Sequence, residues 1–126
     1  MILLDTSVVI DIFTREKRCA PALHAAFERG ERVAIPALVL YEWLRGPRSL
    51  QELLDQERLF PREQVLPFEP GEAALAAEIY KKVPAARRRE FDLAIAASAI
   101  GRGAELWTLN PADFRDIPGL RVSRPG

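Results

Sequence analysis

The chain reads as an α/β protein: one domain over residues 1–126, with a central parallel sheet and helices on both faces. Three observations predict this. Short apolar runs of strand length alternate along the chain with longer stretches of helical spacing. The strand-like runs are continuously apolar, the pattern of strands covered on both sides. Most of the ten prolines fall between these stretches, where they punctuate the elements.

Taken in order, Ile2–Leu4 is a buried strand that stops at Asp5-Thr6-Ser7. Thr6 or Ser7 can cap a helix that begins near Val8. Pro21 to Arg29 has helical spacing, and Gly30 ends it. Val33–Ile35 is a second strand. Pro36 then opens a helix that Gly46-Pro47 closes. Ser49 and Glu52 form a capping box ahead of Leu53, Leu54 and Leu59. Val65–Pro67 is a candidate third strand. Glu72–Val83 and Glu90–Ile100 are alanine-rich helices, stopped by Pro84 and by Gly101 with Gly103. Glu105–Leu109 and Leu120–Val122 complete the strands, and no repeat, linker or low-complexity stretch intervenes.

Composition narrows the function classes. The chain is 48% hydrophobic and 29% charged, as ordinary globular domains are. Eighteen basic residues balance eighteen acidic ones, which is not the strongly basic profile of a passive nucleic-acid binder. A single cysteine, Cys19, excludes an internal disulfide, fits a reducing compartment and reads as a small buried hydrophobe. The apolar opening, MILLDTSVVIDIF, lacks a basic leader and is interrupted by Asp5 and Asp11, so no signal peptide is expected. No run of about 18 apolar residues suggests a membrane span. The lone His24, beside Ala25, Ala26 and Phe27, has no ligand pattern around it and reads as a surface or packing residue.

The places the acids occupy carry more information than their number. Asp5 directly follows an apolar strand, and ligands of open parallel sheets bind beyond the carboxyl ends of strands. A helix cap is its plainer reading. Glu42 shares a helix face with Leu38, Val39 and Trp43, an apolar neighbourhood for a carboxylate; alternatively it is a solvated edge residue. Asp92 opens FDLAIAASAI, whose small residues let a helix approach the sheet, or it is an ordinary first-turn acid favoured by the helix dipole. Asn110 ends another strand and Asp113 follows it, although Asn-Pro also starts turns. Together these positions gather carboxylates that repel unless a cation neutralises them. Oxygen ligands without Cys or His suit Mg²⁺ or Mn²⁺, and a hard cation on carboxylates suits phosphodiester hydrolysis.

The succession LLDTSVVID, YEWLRG, FDLAIAASA and LWTLNPADF with IPGLRV resembles the PIN-domain family, and within it the VapC-type toxins of toxin–antitoxin pairs. The resemblance covers residues 1–122. It implies a three-layer sandwich with a parallel sheet of about five strands and an acidic Mg²⁺ site that cleaves RNA. Asp5, Glu42 and Asp92 match the family's acidic positions. The fourth falls at Asn110, with Asp113 a further acid in the same turn; the lost charge at Asn110 weakens the case for two tightly bound metals. Thr6 and Thr108 match supporting polar positions. On this reading Asp5 and Asp92 bind metal and Glu42 orients water. Asn110 and Asp113 complete the shell. The resemblance further implies a homodimer, a cognate antitoxin that blocks the site, and a cytoplasmic setting.

Phosphate contacts come from Lys and Arg. Arg87, Arg88 and Arg89 lead into Asp92, and Arg45 and Arg48 flank Glu42's helix. They are the candidate RNA-binding residues, with Arg87–Arg89 and Arg45 foremost. The cluster Arg15, Lys17 and Arg18 reads as a solvated face. Trp43 and Trp107 lie in apolar runs and read as core, although either residue type can stack on bases. Two other classes stay open. One is a PIN-like binding module made inert by Asn110. The other is an aspartate-nucleophile phosphatase, which generally needs a second Asp where Ser7 stands.

Overall fold

The computed structural model describes residues 1–14 and 17–126, so Arg15 of the first basic cluster lies outside the described residues. Four strands form one sheet: β1 (Ile2–Leu4), β2 (Val33–Ala34), β3 (Glu105–Trp107) and β4 (Arg121–Ser123). Their order is β2-β1-β3-β4, and every pairing is parallel. Parallel neighbours need crossovers, and the helices supply them. α1 (Thr6–Phe13) and α2 (Ala20–Glu28) lead from β1 to β2. α3 (Ala37–Arg45), α4 (Leu50–Leu59), α5 (Pro70–Lys82) and α6 (Glu90–Gly101) lead from β2 to β3. The chain therefore leaves β1 toward one side of the sheet and returns on the other. That reversal makes a crevice beyond the carboxyl ends of β1 and β3, where doubly wound sheets place ligands.

Val65–Pro67 falls short of a strand. It contributes one parallel bridge, Pro36 to Leu66, with the Leu66 N–H donating to Ile35 O (3.0 Å). The proline on each side of the pairing region supplies no N–H, so the ladder cannot extend. The Ser49–Glu52 capping box is present, with both reciprocal bonds made.

Leu3 and Leu4 are completely buried, each contributing roughly 1.5–3 kcal/mol by burial. Trp43 is also fully enclosed, its ring 5.7 Å from Phe13, and Trp107 is buried, so both tryptophans belong to the core. Cys19 is buried as expected, and its enclosure pushes the thiol up to about 12. His24 is exposed. α6 is enclosed from Leu93 to Ala99, which its run of small residues permits. Glu72 pins α5 to it, accepting from Ser98 Oγ (2.5 Å) and pairing with Arg102 (2.9 Å). Burial disfavours the Glu72 carboxylate, but the Arg102 and Ser98 hydrogen bonds outweigh it and hold the carboxyl below its usual range. Among the described residues, no helix is long and apolar enough to cross a membrane.

Candidate active site

Asp5 is the N-cap residue of α1, yet its carboxylate makes no cap bond. It is buried, and its Oδ2 accepts from Thr108 Oγ1 (2.7 Å) and Ser7 Oγ (3.0 Å). Each hydroxyl is itself fixed. Ser7 Oγ accepts the Leu109 N–H (3.0 Å), and Thr108 Oγ1 accepts the Asn110 N–H (3.1 Å). A hydroxyl has one proton, so both protons are committed to Asp5. The 3.3 Å approach of the two hydroxyls then carries no shared proton. Two strand ends are thus tied together at one carboxylate oxygen. Thr6 or Ser7 caps nothing; Asp5 takes the cap position, and both hydroxyls point at acids.

Thr6 serves the second acid. Its Oγ1 donates to Glu42 Oε1 (2.6 Å), which joins α1 to α3. Glu42 Oε2 faces Arg45 Nη2 at 3.4 Å, one helical turn away. Arg45 also lies over the Tyr41 and Phe91 rings, 5.2 and 5.5 Å from their centroids.

Asp92 has no such support among the described residues. Its carboxyl is pushed up to about 6, first by burial and then by the charges of Asp5, Glu42 and Asp113, with Arg89 opposing them. The structure therefore brings Asp5, Glu42, Asp92 and Asp113 into one electrostatic field. Asn110 is exposed at the same strand end, and Asp113 lies in the single 3₁₀ turn that follows, Pro111–Asp113.

A cleft of about 340 Å³ opens beside the acids, lined by Glu42, Arg45, Arg87, Arg88, Arg89 and Asp92 among others. The three consecutive arginines differ. Arg87 and Arg88 are exposed. Arg89 is engaged: its fork grips Asp116 through Nη1 (2.8 Å) and Nη2 (2.7 Å), and it also donates to the carbonyls of Asp113 and Pro84.

A chain with this sheet order and this acidic crevice can be compared with known proteins. The PIN-domain family model matches residues 2–120, which include every residue of the crevice just described. The chain belongs to the PIN-domain family. Ribonuclease VapC19 of Mycobacterium tuberculosis (strain CDC 1551 / Oshkosh) is 29% identical over 123 residues, covering 96% of this chain and 98% of the relative. DNA-bound VapBC from Salmonella typhimurium contains a chain of similar structure, with a TM-score of 0.79 and 25% identity over 99% and 98% of the two chains. VapBC2 from Rickettsia felis, bound to a promoter DNA fragment, shares the fold with a TM-score of 0.78 at 20% identity, over 98% of each chain.

In this PIN domain the donor set tests whether a divalent cation fits. The acids of the crevice supply oxygen alone, and their mutual repulsion at Asp92 is largely uncompensated. That is the environment a hard cation relieves. Among the described residues, no group of three or more His, Cys, Asp or Glu side chains is arranged to hold a metal ion. Mg²⁺ does not require one: it keeps several waters and commonly takes one or two carboxylates. Asp5 and Asp92 fit that role.

Two members of the PIN-domain crevice were not singled out by sequence. Ser7 looked like a cap, and its bond to Asp5 depends on a strand end a hundred residues away. Asp116 sits in FRDIPG with no apolar pattern to mark it. A weak signal for Ser7 existed in its spacing, two residues beyond the strand-end acid.

Proposed function

We propose that this PIN domain is a metal-dependent endoribonuclease, the toxin of a VapBC-type pair. The observation that carries the reading is the acid group at the sheet's carboxyl edge, where burial first, and then the charges of Asp5, Glu42 and Asp113, raise the Asp92 carboxyl to about 6 beside an arginine-lined cleft. Asp5 and Asp92 would hold Mg²⁺ or Mn²⁺, which supplies Lewis-acid activation of water and charge neutralisation at the phosphodiester. Thr108 and Ser7 keep Asp5 oriented. Glu42, anchored on one oxygen by Thr6, orients the attacking water with the other. Asn110 and Asp113 complete the polar shell. Arg45, Arg87 and Arg88 hold the RNA backbone in the cleft.

The relatives solved as VapBC complexes support a cognate antitoxin as the partner. Exposed Tyr41 and Leu44 on α3 offer an apolar face for a homodimer. The working compartment on this reading is the cytoplasm, with its RNA.

The test is direct. Purified protein is incubated with total RNA in Mg²⁺ or in EDTA, beside Asp5→Asn and Asp92→Asn. Cleavage by the unchanged protein in Mg²⁺ alone is expected, and mapping the cut ends identifies the substrate. Equal cleavage in every tube would mean a contaminating nuclease and defeat the reading.

A further inference from the structure

Arg89 is the best-anchored cation in the crevice, and its four hydrogen bonds all go to the protein. Two close the fork on Asp116 (2.8 and 2.7 Å), one reaches Asp113 O (2.7 Å) and one reaches Pro84 O (3.2 Å). Its side chain is 16% exposed, whereas that of Asp116 is 43% exposed. A planar fork matched to a carboxylate fixes direction as well as distance, and Lys cannot reproduce it.

The segments it joins matter. Arg89 directly precedes α6, three residues before Asp92. Asp113 and Asp116 belong to the connection that follows β3, whose start is fixed by the Asn110 N–H on Thr108. Phe114 and Ile117 of the same connection are buried at 2% and 3% exposure. Between those anchors the polar stretch carrying Asp113 is a single 3₁₀ turn, with the Asp113 N–H on Asn110 O (3.0 Å) and the Phe114 N–H on Pro111 O (3.0 Å). These bonds are local; Arg89 ties the turn to α6, through the Asp113 carbonyl and the Asp116 carboxylate. Asp116 is kept below the usual carboxylate range chiefly by that same hydrogen bonding from Arg89.

We propose that Arg89 and Asp116 form a latch that positions Asp113 against the N-terminus of α6, so that Asp92 and Asp113 keep one spacing during the reaction. Arg89 is therefore a positioning residue rather than an RNA contact. Within the Arg87–Arg89 run, two arginines face the substrate and the third holds the site. The role rests on the nuclease reading above.

The experiment compares Arg89→Lys, Asp116→Ala and the exchanged pair Arg89→Asp/Asp116→Arg with Arg88→Ala. Each is assayed on an RNA fragment whose cut site has been mapped with the unchanged protein. Amide exchange over residues 110–117 is followed in parallel, together with Mn²⁺ affinity by calorimetry. The latch predicts that Arg89→Lys and Asp116→Ala each lower kcat about tenfold or more, as small misplacements near reacting atoms do. KM and the salt dependence of RNA binding stay within about twofold, and amides 113–117 exchange faster. The exchanged pair recovers part of the lost kcat. Arg88→Ala shows the opposite split, with raised KM and a shallower salt slope. A raised KM and shallower salt slope in Arg89→Lys, or unchanged kcat and unchanged exchange in Asp116→Ala, would overturn the latch. If the unchanged protein cleaves no RNA, the nuclease reading falls. The latch is then judged by exchange and Mn²⁺ affinity, and unaltered values for both in Arg89→Lys and Asp116→Ala would overturn it as well.

Discussion

The two sides of the crevice are built on opposite principles. At the strand ends, Asp5 is buried and satisfied: two hydroxyls donate to one oxygen, and two backbone N–H groups fix those hydroxyls. At the start of α6, Asp92 is half-buried among like charges, and its carboxyl rises to about 6. One side is paid for by hydrogen bonds inside the fold; the other is left strained until something positive arrives. A metal site benefits from both. The satisfied acid keeps its geometry, and the repelled acids provide the affinity.

The contrast breaks most sharply on activity. Asp5→Asn keeps the side-chain shape but removes a charge from the proposed cation site. Cleavage of RNA in Mg²⁺ is expected to fall by about a hundredfold or more, on the scale of losing a group that stabilises transition-state charge. Retained cleavage would show that the strand-end acid is only structural.

Next in size are opposite changes in stability. Thr108→Val keeps the shape, removes a donor to Asp5 and leaves the Asn110 N–H without its acceptor. A loss of about 1–3 kcal/mol of unfolding free energy is expected, read from urea denaturation. Asp92→Asn should act in the other direction. The folded carboxyl titrates at about 6 against 3.8 for a free one. Its contribution to stability is therefore full below pH 3.8 and lost as pH rises through 6. Removing the charge recovers that loss, about 1–2 kcal/mol after discounting for solvent screening, in metal-free protein above pH 6 and not below pH 4. Urea midpoints across pH check the sign.

The same titration governs metal. Mn²⁺ affinity measured by calorimetry should weaken as pH falls through about 6 in the unchanged protein, because the acid must give up its proton to bind. Asp92→Asn should flatten that dependence. The smallest effect is expected from Arg45→Ala, since the guanidinium is half exposed and shared with Glu42. RNA affinity should drop severalfold and the salt slope by about one, read by filter binding at several ionic strengths.

How much of this was legible from residues alone follows the same division. Asp5 and Asn110 stood out because apolar strands stop at them, and that boundary is local. Glu42 and Asp92 stood out as acids in apolar or small-residue surroundings. Ser7, Asp116 and the inward engagement of Arg89 were hidden because they come from contacts between distant segments: Ser7 meets Leu109 across 102 positions, and Arg89 meets Asp116 across 27. Three identical arginines in a row carry no mark of which one turns inward. The candidate strand at Val65–Pro67 failed for a related reason, since its apolar pattern is right but proline denies it a ladder.

The bond between Thr108 and Asp5 spans 103 positions, and β1 has β3 as a neighbour in the sheet. Contacts of such separation form late, because the whole intervening loop must be closed first. On a ribosome adding roughly 5–20 residues per second, Asp5 emerges several seconds before Thr108 is made. Through that interval the nascent chain lacks the strand that fixes Asp5, and Asp92, only 16 positions ahead of Thr108, is itself made near its end. The activity proposed here would thus be dormant during its own synthesis, and a product broken off ahead of β3 would leave the machinery that made it unharmed.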